Sequence, residues 1–501
     1  MKPIRNVLLI SPPYTLRKGR LKSSIPPLGV AYLAGVLEKS GYRVTVLDAA
    51  VEGFQSEMEL DENHFRYGLT FEEIGRRILE SAPDVVGVSC LFTPQYQNVR
   101  EICRKAREVK ENCIIVVGGE HPSVLPEECL GDDFVDYVVL GEGEYTFRDL
   151  LKAIEQGDDL SAIDGLAFRR EGEIQVNPRS TFIADLDELP LPARHLLPMD
   201  KYFRINLPQG STTSRRSPQT PMITSRGCSA RCVFCATTKF WGNRFRARSA
   251  RSVLDEMQLL VEDYGVREIH FGDDNITLDR DRMMEICQGI IDRKLDVAWC
   301  CPQGVAVWTL DEELLKMMKR SGCYELTLGI ESGDEEVLRT IIGKPLKLDM
   351  VRRIVPIMKK LGIEVDSFFV VGFPGETKEQ IRKTLRFARE LKVDRASFFI
   401  ATPLPGTRLL KLCMEKGYCP PVIDWTDIDY SVGQISTEDF TSADIEKMIA
   451  TQTFLFSLGL ILRNPVEFVR RYVMFGLRYP KLLLNYLRFL LADRIFQRKK
   501  K

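Results

Sequence analysis

Two stretches of the chain alternate short apolar runs with amphipathic segments, and no other feature limits the fold as tightly. In the first, residues 7–10, 44–47, 85–89, 114–117 and 137–140 are short and apolar, as strands buried on both faces are. Between them, residues 30–39, 71–81, 98–109 and 145–154 carry apolar side chains at helical spacing. Strand–helix alternation of this kind predicts a doubly wound parallel sheet, whose ligand sits beyond the carboxyl ends of the strands. The second stretch begins near residue 221 and runs to about 410. It has room for a partial barrel of roughly six βα units, whose working rim is again the carboxyl end of each strand.

Those strand ends carry the informative residues. In the first stretch they are Asp48 to Gly53, then Ser89 and Leu91, then Gly118 and Gly119 followed by Glu120, His121 and Pro122. Paired glycines allow close backbone approach to a bulky ligand, and Ser89 offers it a hydrogen bond. In the second they are Asp273 and Asp274, Glu331 and Ser332, Gly372 and Gly375, and Thr402 to Thr407. At the entrance to the second stretch Cys228, Cys232 and Cys235 lie on one tight loop, with Phe234 beside the third thiol. Three thiolates at this spacing converge on a soft iron–sulfur centre and leave one iron open to a small molecule. No fourth Cys or His lies at zinc-finger spacing, which argues against a closed zinc site.

Composition excludes several classes. Lys+Arg and Asp+Glu are both 70, so no field covers the whole molecule and nucleic acid is not an expected partner. The 13 cysteines form no small-scaffold disulfide framework, which fits a reducing, cytoplasmic setting; most of the others read as buried, inert thiols, with Cys301 or Cys323 the candidates to face the barrel mouth. Met1 leads into an apolar run too short for a signal peptide, and no uninterrupted apolar stretch has the length of a conventional membrane span. Prolines break the pattern over 156–220, which reads as a linker. Residues 439–450 read as a helix, and beyond them leucines, aromatics and cations interleave from Phe454 to Lys501, with further helices over 466–477 and 481–496. That tail reads either as an interfacial segment, peripheral on the inner membrane face, or as helices packed on the barrel. The expected organisation is therefore 1–155, a linker 156–220, a barrel 221–410 and a helical, basic region 411–501.

Cys228, Cys232 and Cys235 with Phe234 resemble the signature of the radical S-adenosylmethionine superfamily. The resemblance implies a [4Fe–4S] cluster whose open iron takes the amino and carboxylate groups of S-adenosylmethionine. It also implies an electron donor such as flavodoxin or ferredoxin. By the same resemblance Asp273 and Asp274 lie near the methionine end, Glu331 and Ser332 near the ribose or carboxylate, Gly372 to Gly375 near the adenine, and Phe234 against cluster or adenine. The three earlier loops resemble the cobalamin-binding pattern Asp-x-His-x-x-Gly, Ser-x-Leu, Gly-Gly, with Ser89, Leu91, Gly118 and Gly119 as its matching residues. Ala50 stands where many members place the histidine that ligates cobalt, and alanine ligates nothing. His121, on a different loop, offers itself as a substitute ligand, but it is expected instead to pack or hydrogen-bond around the cofactor. The whole resembles the cobalamin-dependent radical enzymes of the class B methyltransferase type. This implies methylation of an unactivated carbon in a small-molecule or lipid-like substrate, with no catalytic side chain assigned. Ring formation, rearrangement or oxygen insertion with the same cofactors is one alternative, and a non-catalytic cobalamin-binding sensor is another.

Overall fold

The computed structural model describes residues 3–208, 214–420, 423, 425, 428–463 and 465. The first sheet has seven strands in the order Glu173–Asn177, Leu166–Arg170, Tyr137–Val139, Ile114–Gly118, Val85–Ser89, Asn6–Ser11 and Arg43–Asp48. The last five are mutually parallel, as the alternation predicts. Helices Leu28–Lys39, Phe71–Ser81, Tyr96–Val109 and Gly143–Gln156 accompany them, and apolar cores fill both faces of the sheet. Phe71–Ser81 starts where sequence reading puts it because Thr70 and Glu73 form a reciprocal cap: Thr70 Oγ1 accepts from Glu73 N at 3.2 Å, and Thr70 N donates to Glu73 Oε2 at 2.7 Å. From Asn6–Ser11 the chain moves first to one side of the sheet and then to the other. The crevice for a ligand therefore opens beyond Ser11 and Ser89.

The second sheet has six parallel strands, Gln219–Met222, Glu268–Phe271, Ala298–Val305, Cys323–Glu331, Glu364–Val371 and Ser397–Ile400, in chain order. Its two edge strands do not pair with each other, so this is an open partial barrel. One continuous core joins it to its helices.

Three elements depart from the sequence reading. The stretch expected to be a linker contains the hairpin Leu166–Arg170/Glu173–Asn177, which extends the first sheet with antiparallel strands, and the helix Met199–Ile205. A separate three-stranded sheet, Tyr14–Arg17, His64–Tyr67 and Glu57–Glu59, is antiparallel and packs its aromatics with Ala50. The helix expected at 439–450 runs on as Ser442–Arg463. Ile445, Ile449, Phe456 and Leu460 are buried, while Phe454, Leu455, Leu458, Ile461 and Leu462 stay exposed. By length and composition Ser442–Leu462 is long and apolar enough to cross a membrane, although its buried face packs on helix Lys378–Glu390 and strand Ser397–Ile400. The helices expected over 466–477 and 481–496 lie outside the described residues.

Candidate active site

The thiol loop leaves the barrel at Ser225–Arg226 and returns at Arg246–Ala247, two short strands that pair antiparallel and close its neck. Cys228, Cys232 and Cys235 are all half-buried. Burial raises the three thiols, Cys232 to about 12, while the Lys344 ammonium pulls Cys228 and Cys232 down. Lys344 stays charged: burial opposes this, but Glu331, with Oε1 at 2.9 Å, and the neighbouring thiols hold it up. Among the described residues no three His, Cys, Asp or Glu side chains close tightly enough to hold a single metal ion. Three half-buried thiols on one loop are a donor set suited to a thiolate-ligated iron–sulfur cluster.

Around this loop the structure sorts the expected residues into two groups. Phe234 packs on Phe373 with ring centroids 5.7 Å apart, which brings the Gly372–Gly375 turn against the thiol loop. That turn needs glycine at φ +89° and φ +85°, and the buried Glu376 ties it by accepting from Gly372 N at 2.8 Å and Phe373 N at 3.1 Å. Burial raises the Glu376 carboxyl to about 7. Asp274 lies at the sheet end with part of the residue open to solvent, accepts from Thr237 Oγ1 at 3.3 Å, and is raised to about 6 by the protein packed around its carboxyl and by Asp273. Glu331, at φ +67°, faces Lys344.

Asp273 and Ser332 are both buried, with their polar atoms taken up by the protein itself. Asp273 is buried, and its Oδ1 accepts from Thr224 N at 3.1 Å, Thr224 Oγ1 at 2.8 Å and Ser225 Oγ at 2.5 Å, so it holds the neck of the thiol loop. Ser332 is buried with its hydroxyl 2.9 Å from Thr384 Oγ1 and 3.1 Å from Asp334 N. Cys301 and Cys323 lie in the barrel core, where burial pushes their thiols far up, so neither faces the mouth.

On the first sheet, Ser89 and Gly118 are register partners, and Leu91 and Phe92 are exposed at 48% and 37% on the following loop. Large apolar side chains open to solvent beyond strand ends suit a broad, apolar cofactor. The fold itself holds Gly119 to glycine: at φ +118° an added Cβ would meet Cys90 O on the neighbouring loop at 2.5 Å. Gly118 carries no such restriction. Ala50 is buried under the Asp48 carboxylate, which caps Ala50 N and Val51 N at 3.1 and 3.2 Å and accepts from Tyr202. Burial raises Asp48 to about 6. His121 is fully buried, stacked on Tyr96 at 4.2 Å, and burial lowers it to about 4, so it is a packed neutral ring.

The two sheets meet at the thiol loop. Helix Glu120–Val124 packs against helix Thr237–Phe240, and Glu120 is raised to about 7 by burial and by Asp274 across the seam. Behind it runs a buried ionic network that sequence reading missed. Arg226 Nη1 donates to Glu142 Oε1 at 2.9 Å and its Nη2 to Glu144 Oε1 at 2.5 Å, while Arg246 Nη1 donates to Glu142 at 2.7 and 2.8 Å. Burial opposes charge on Arg226, but Glu144 and Glu142 hold it far above the usual range. Tyr32 and Trp241 box the same guanidinium, with centroids at 5.5 and 4.8 Å. A second crossing joins Arg248 to Glu256 and to Tyr32 Oη at 3.1 Å. The three-cysteine loop is thus locked to the sheet whose strand ends face it.

Comparison with known proteins bears on this arrangement. The B12 binding domain family matches residues 14–151, and the Radical SAM superfamily matches 222–388. The chain is 36% identical over 462 residues to cytidylyl-2-hydroxyethylphosphonate methyltransferase of Streptomyces wedmorensis, covering 86% of each chain. It is 28% identical over 415 residues to the anaerobic magnesium-protoporphyrin IX monomethyl ester cyclase of Rubrivivax gelatinosus, covering 82% of this chain and 70% of that one. Among solved structures it shares its fold with the radical S-adenosylmethionine methyltransferase TsrM of Kitasatospora setae, determined with cobalamin and a [4Fe–4S] cluster bound. That likeness has a TM-score of 0.64 at 22% identity and covers 82% of this chain and 75% of that one. These matches set aside the sensor reading. The chain belongs to the radical S-adenosylmethionine enzymes that carry an amino-terminal cobalamin-binding domain, the family whose cofactors are a [4Fe–4S] cluster, S-adenosylmethionine and cobalamin.

Proposed function

We propose that this enzyme transfers a methyl group to an unactivated carbon of a small molecule. The observation that carries the reading is the 36% identity, over most of both chains, to a methyltransferase that acts on a small nucleotidyl phosphonate. When bound, the cluster and S-adenosylmethionine supply a 5′-deoxyadenosyl radical and cobalamin supplies the methyl group. The chain's own part is to hold and orient.

Cys228, Cys232 and Cys235 hold the cluster, with Lys344 offsetting the charge of the thiolates. Asp274, with a pKa of about 6, carries a negative charge at neutral pH and receives the methionine ammonium. Glu331 and the Gly372–Gly375 turn would line the rest of the nucleotide, with Phe234 and Phe373 packed on each other beside the thiol loop. Asp273 and Ser332 act one step back, by fixing the loops. Ser89, Leu91, Gly118 and Gly119 line the cobalamin side, where the Ser89 hydroxyl has no partner among the described residues. With Ala50 buried among Phe54, Tyr67 and Tyr14, the chain offers cobalt no ligand at the customary histidine position.

The 28% identity to a cyclase supports a second reading, in which the same cofactors form a ring without methyl transfer. A lipid-like substrate and peripheral membrane contact draw support from the exposed Phe454, Leu455, Leu458, Ile461 and Leu462 and from the cations that follow in sequence. Removal of residues 463–501 should then weaken sedimentation with anionic liposomes, and unchanged sedimentation would exclude the basic tail as the anchor. The enzymatic reading is tested by anaerobically reconstituted protein given S-adenosylmethionine and dithionite. It should release 5′-deoxyadenosine, and Cys232→Ala should release none; equal release from both would refute the assignment of the thiols.

A further inference from the structure

The charges of this chain balance overall but not locally. From Lys201 to Leu254 there is no Asp or Glu, against eleven Lys and Arg. Eight of the eleven have a carboxylate within 4.0 Å: Lys201, Arg204, Arg215, Arg216, Arg226, Arg246, Arg248 and Arg251. Apart from Arg204 and Arg251, which pair along their own helices, each draws its carboxylate from another element. The remaining three are Arg231, Lys239 and Arg244. All three are exposed, and none has a carboxylate partner among the described residues. They also share one place, the thiol loop. Arg231 precedes Cys232, Lys239 lies on the helix that follows Cys235, and the Arg244 carbonyl abuts Gly227, where an added Cβ would meet it at 2.6 Å. A fourth exposed cation, Arg408, comes from a different helix and donates to the Arg231 carbonyl.

An exposed cation without a partner contributes little to stability. Cations gathered at one spot on a neutral molecule instead make a local field that speeds and orients the arrival of an anionic partner. These four residues are exposed and spread over a loop and a separate helix, which suits a broad protein face. A small anion is gripped by buried donors, and the buried arginines of this stretch already have carboxylates. We infer that Arg231, Lys239, Arg244 and Arg408 form the docking surface for an acidic one-electron carrier protein that reduces the cluster. This rests on the proposed function, which requires reduction of a cluster held at Cys228, Cys232 and Cys235. The step moves one electron: the carrier passes from hydroquinone to semiquinone and the cluster from the 2+ to the 1+ state, with no bond made or broken.

The test uses anaerobically reconstituted full-length enzyme and two reductants, an acidic flavodoxin in its hydroquinone state and dithionite. Cluster reduction is followed by the loss of visible absorption and by electron paramagnetic resonance, and flavodoxin binding is measured separately by titration. In Lys239→Glu/Arg244→Glu, flavodoxin-supported reduction at low salt should slow about tenfold or more, with weakened binding and loss of salt sensitivity. Reduction by dithionite should stay at the wild-type rate, and Lys239→Arg/Arg244→Lys should behave as wild type. A double-glutamate variant that flavodoxin binds and reduces normally would overturn the docking surface, as would one slowed equally with both reductants. A wild-type protein that holds no iron after reconstitution, or that neither reductant reduces, would overturn the proposed function itself.

Discussion

Replacing Glu142 tests how the thiol loop is held against the first sheet. Its side chain has no exposed surface, and it accepts from Arg226 at 2.9 Å, Arg246 at 2.7 and 2.8 Å, and Ile183 N at 2.8 Å. Glu142→Ala leaves Arg246 without a carboxylate and Arg226 with Glu144 alone. Removing one partner from a buried pair costs about 3–5 kcal/mol, because the other charge stays out of water. The stranded Ile183 amide adds about 1 kcal/mol or more. Urea unfolding of the cofactor-free chain should therefore show a loss of at least about 4 kcal/mol. The fluorescence of Trp241, stacked on Arg226 and accepting from Arg246 Nη2 at 2.8 Å, should change with it. Adding Arg246→Met to the variant should restore part of the loss by removing the unpaired charge. A cost below about 1 kcal/mol, or a double variant no better than the single one, would refute the idea that buried charge locks this seam.

Three further outcomes follow from the site. Burial raises Glu376 from the ordinary 4.5 to about 7, so the folded state binds the extra proton. Its contribution is fully present below pH 4.5 and is lost as pH rises through 7, a change of about 3 kcal/mol that unfolding curves across this window should show and Glu376→Gln should lack. Gly119→Ala forces a Cβ to 2.5 Å from the Cys90 carbonyl at φ +118°, whereas Gly118→Ala meets only ordinary contacts. The first should cost about 2–4 kcal/mol and lower the cobalt retained per chain, and the second should stay near wild type in both measurements. Cys232→Ala should lose the iron and the broad visible absorption of the reconstituted protein, while Cys300→Ala, a buried core thiol, should keep both.

Much of the architecture was legible because each parallel strand is announced twice, by its apolar run and by the polar or glycine residues at its end. Residues 85–89, read as a strand, are one residue for residue, and the cap at Thr70 places a helix start without tertiary information. The hairpin of Leu166–Arg170 and Glu173–Asn177 escaped because the buried apolar run of its first strand is only Leu166 to Phe168, and its second strand is exposed or half-buried throughout. In the site, residue type located the loops but not which side chain turns outward. Asp273 and Asp274 look alike in sequence, yet one ties the thiol-loop neck and the other faces the seam. Glu142 and Glu144 were invisible for another reason: on a helix start they read as ordinary solvated carboxylates, and their partners lie more than 80 residues away. The acid-free run from Lys201 to Leu254 was the available signal, since arginines buried in such a stretch must find carboxylates elsewhere.

The proposed activity is movement of a methyl group to carbon by radical chemistry. Its most direct test is to incubate the reconstituted holoenzyme anaerobically with methyl-labelled S-adenosylmethionine, a reductant and a small-molecule extract, and to follow both the label and 5′-deoxyadenosine by mass spectrometry. A labelled methyl should appear on a carbon of a product, formed together with 5′-deoxyadenosine and absent with Cys232→Ala. Release of 5′-deoxyadenosine that depends on the extract, with no label in any product, would contradict it.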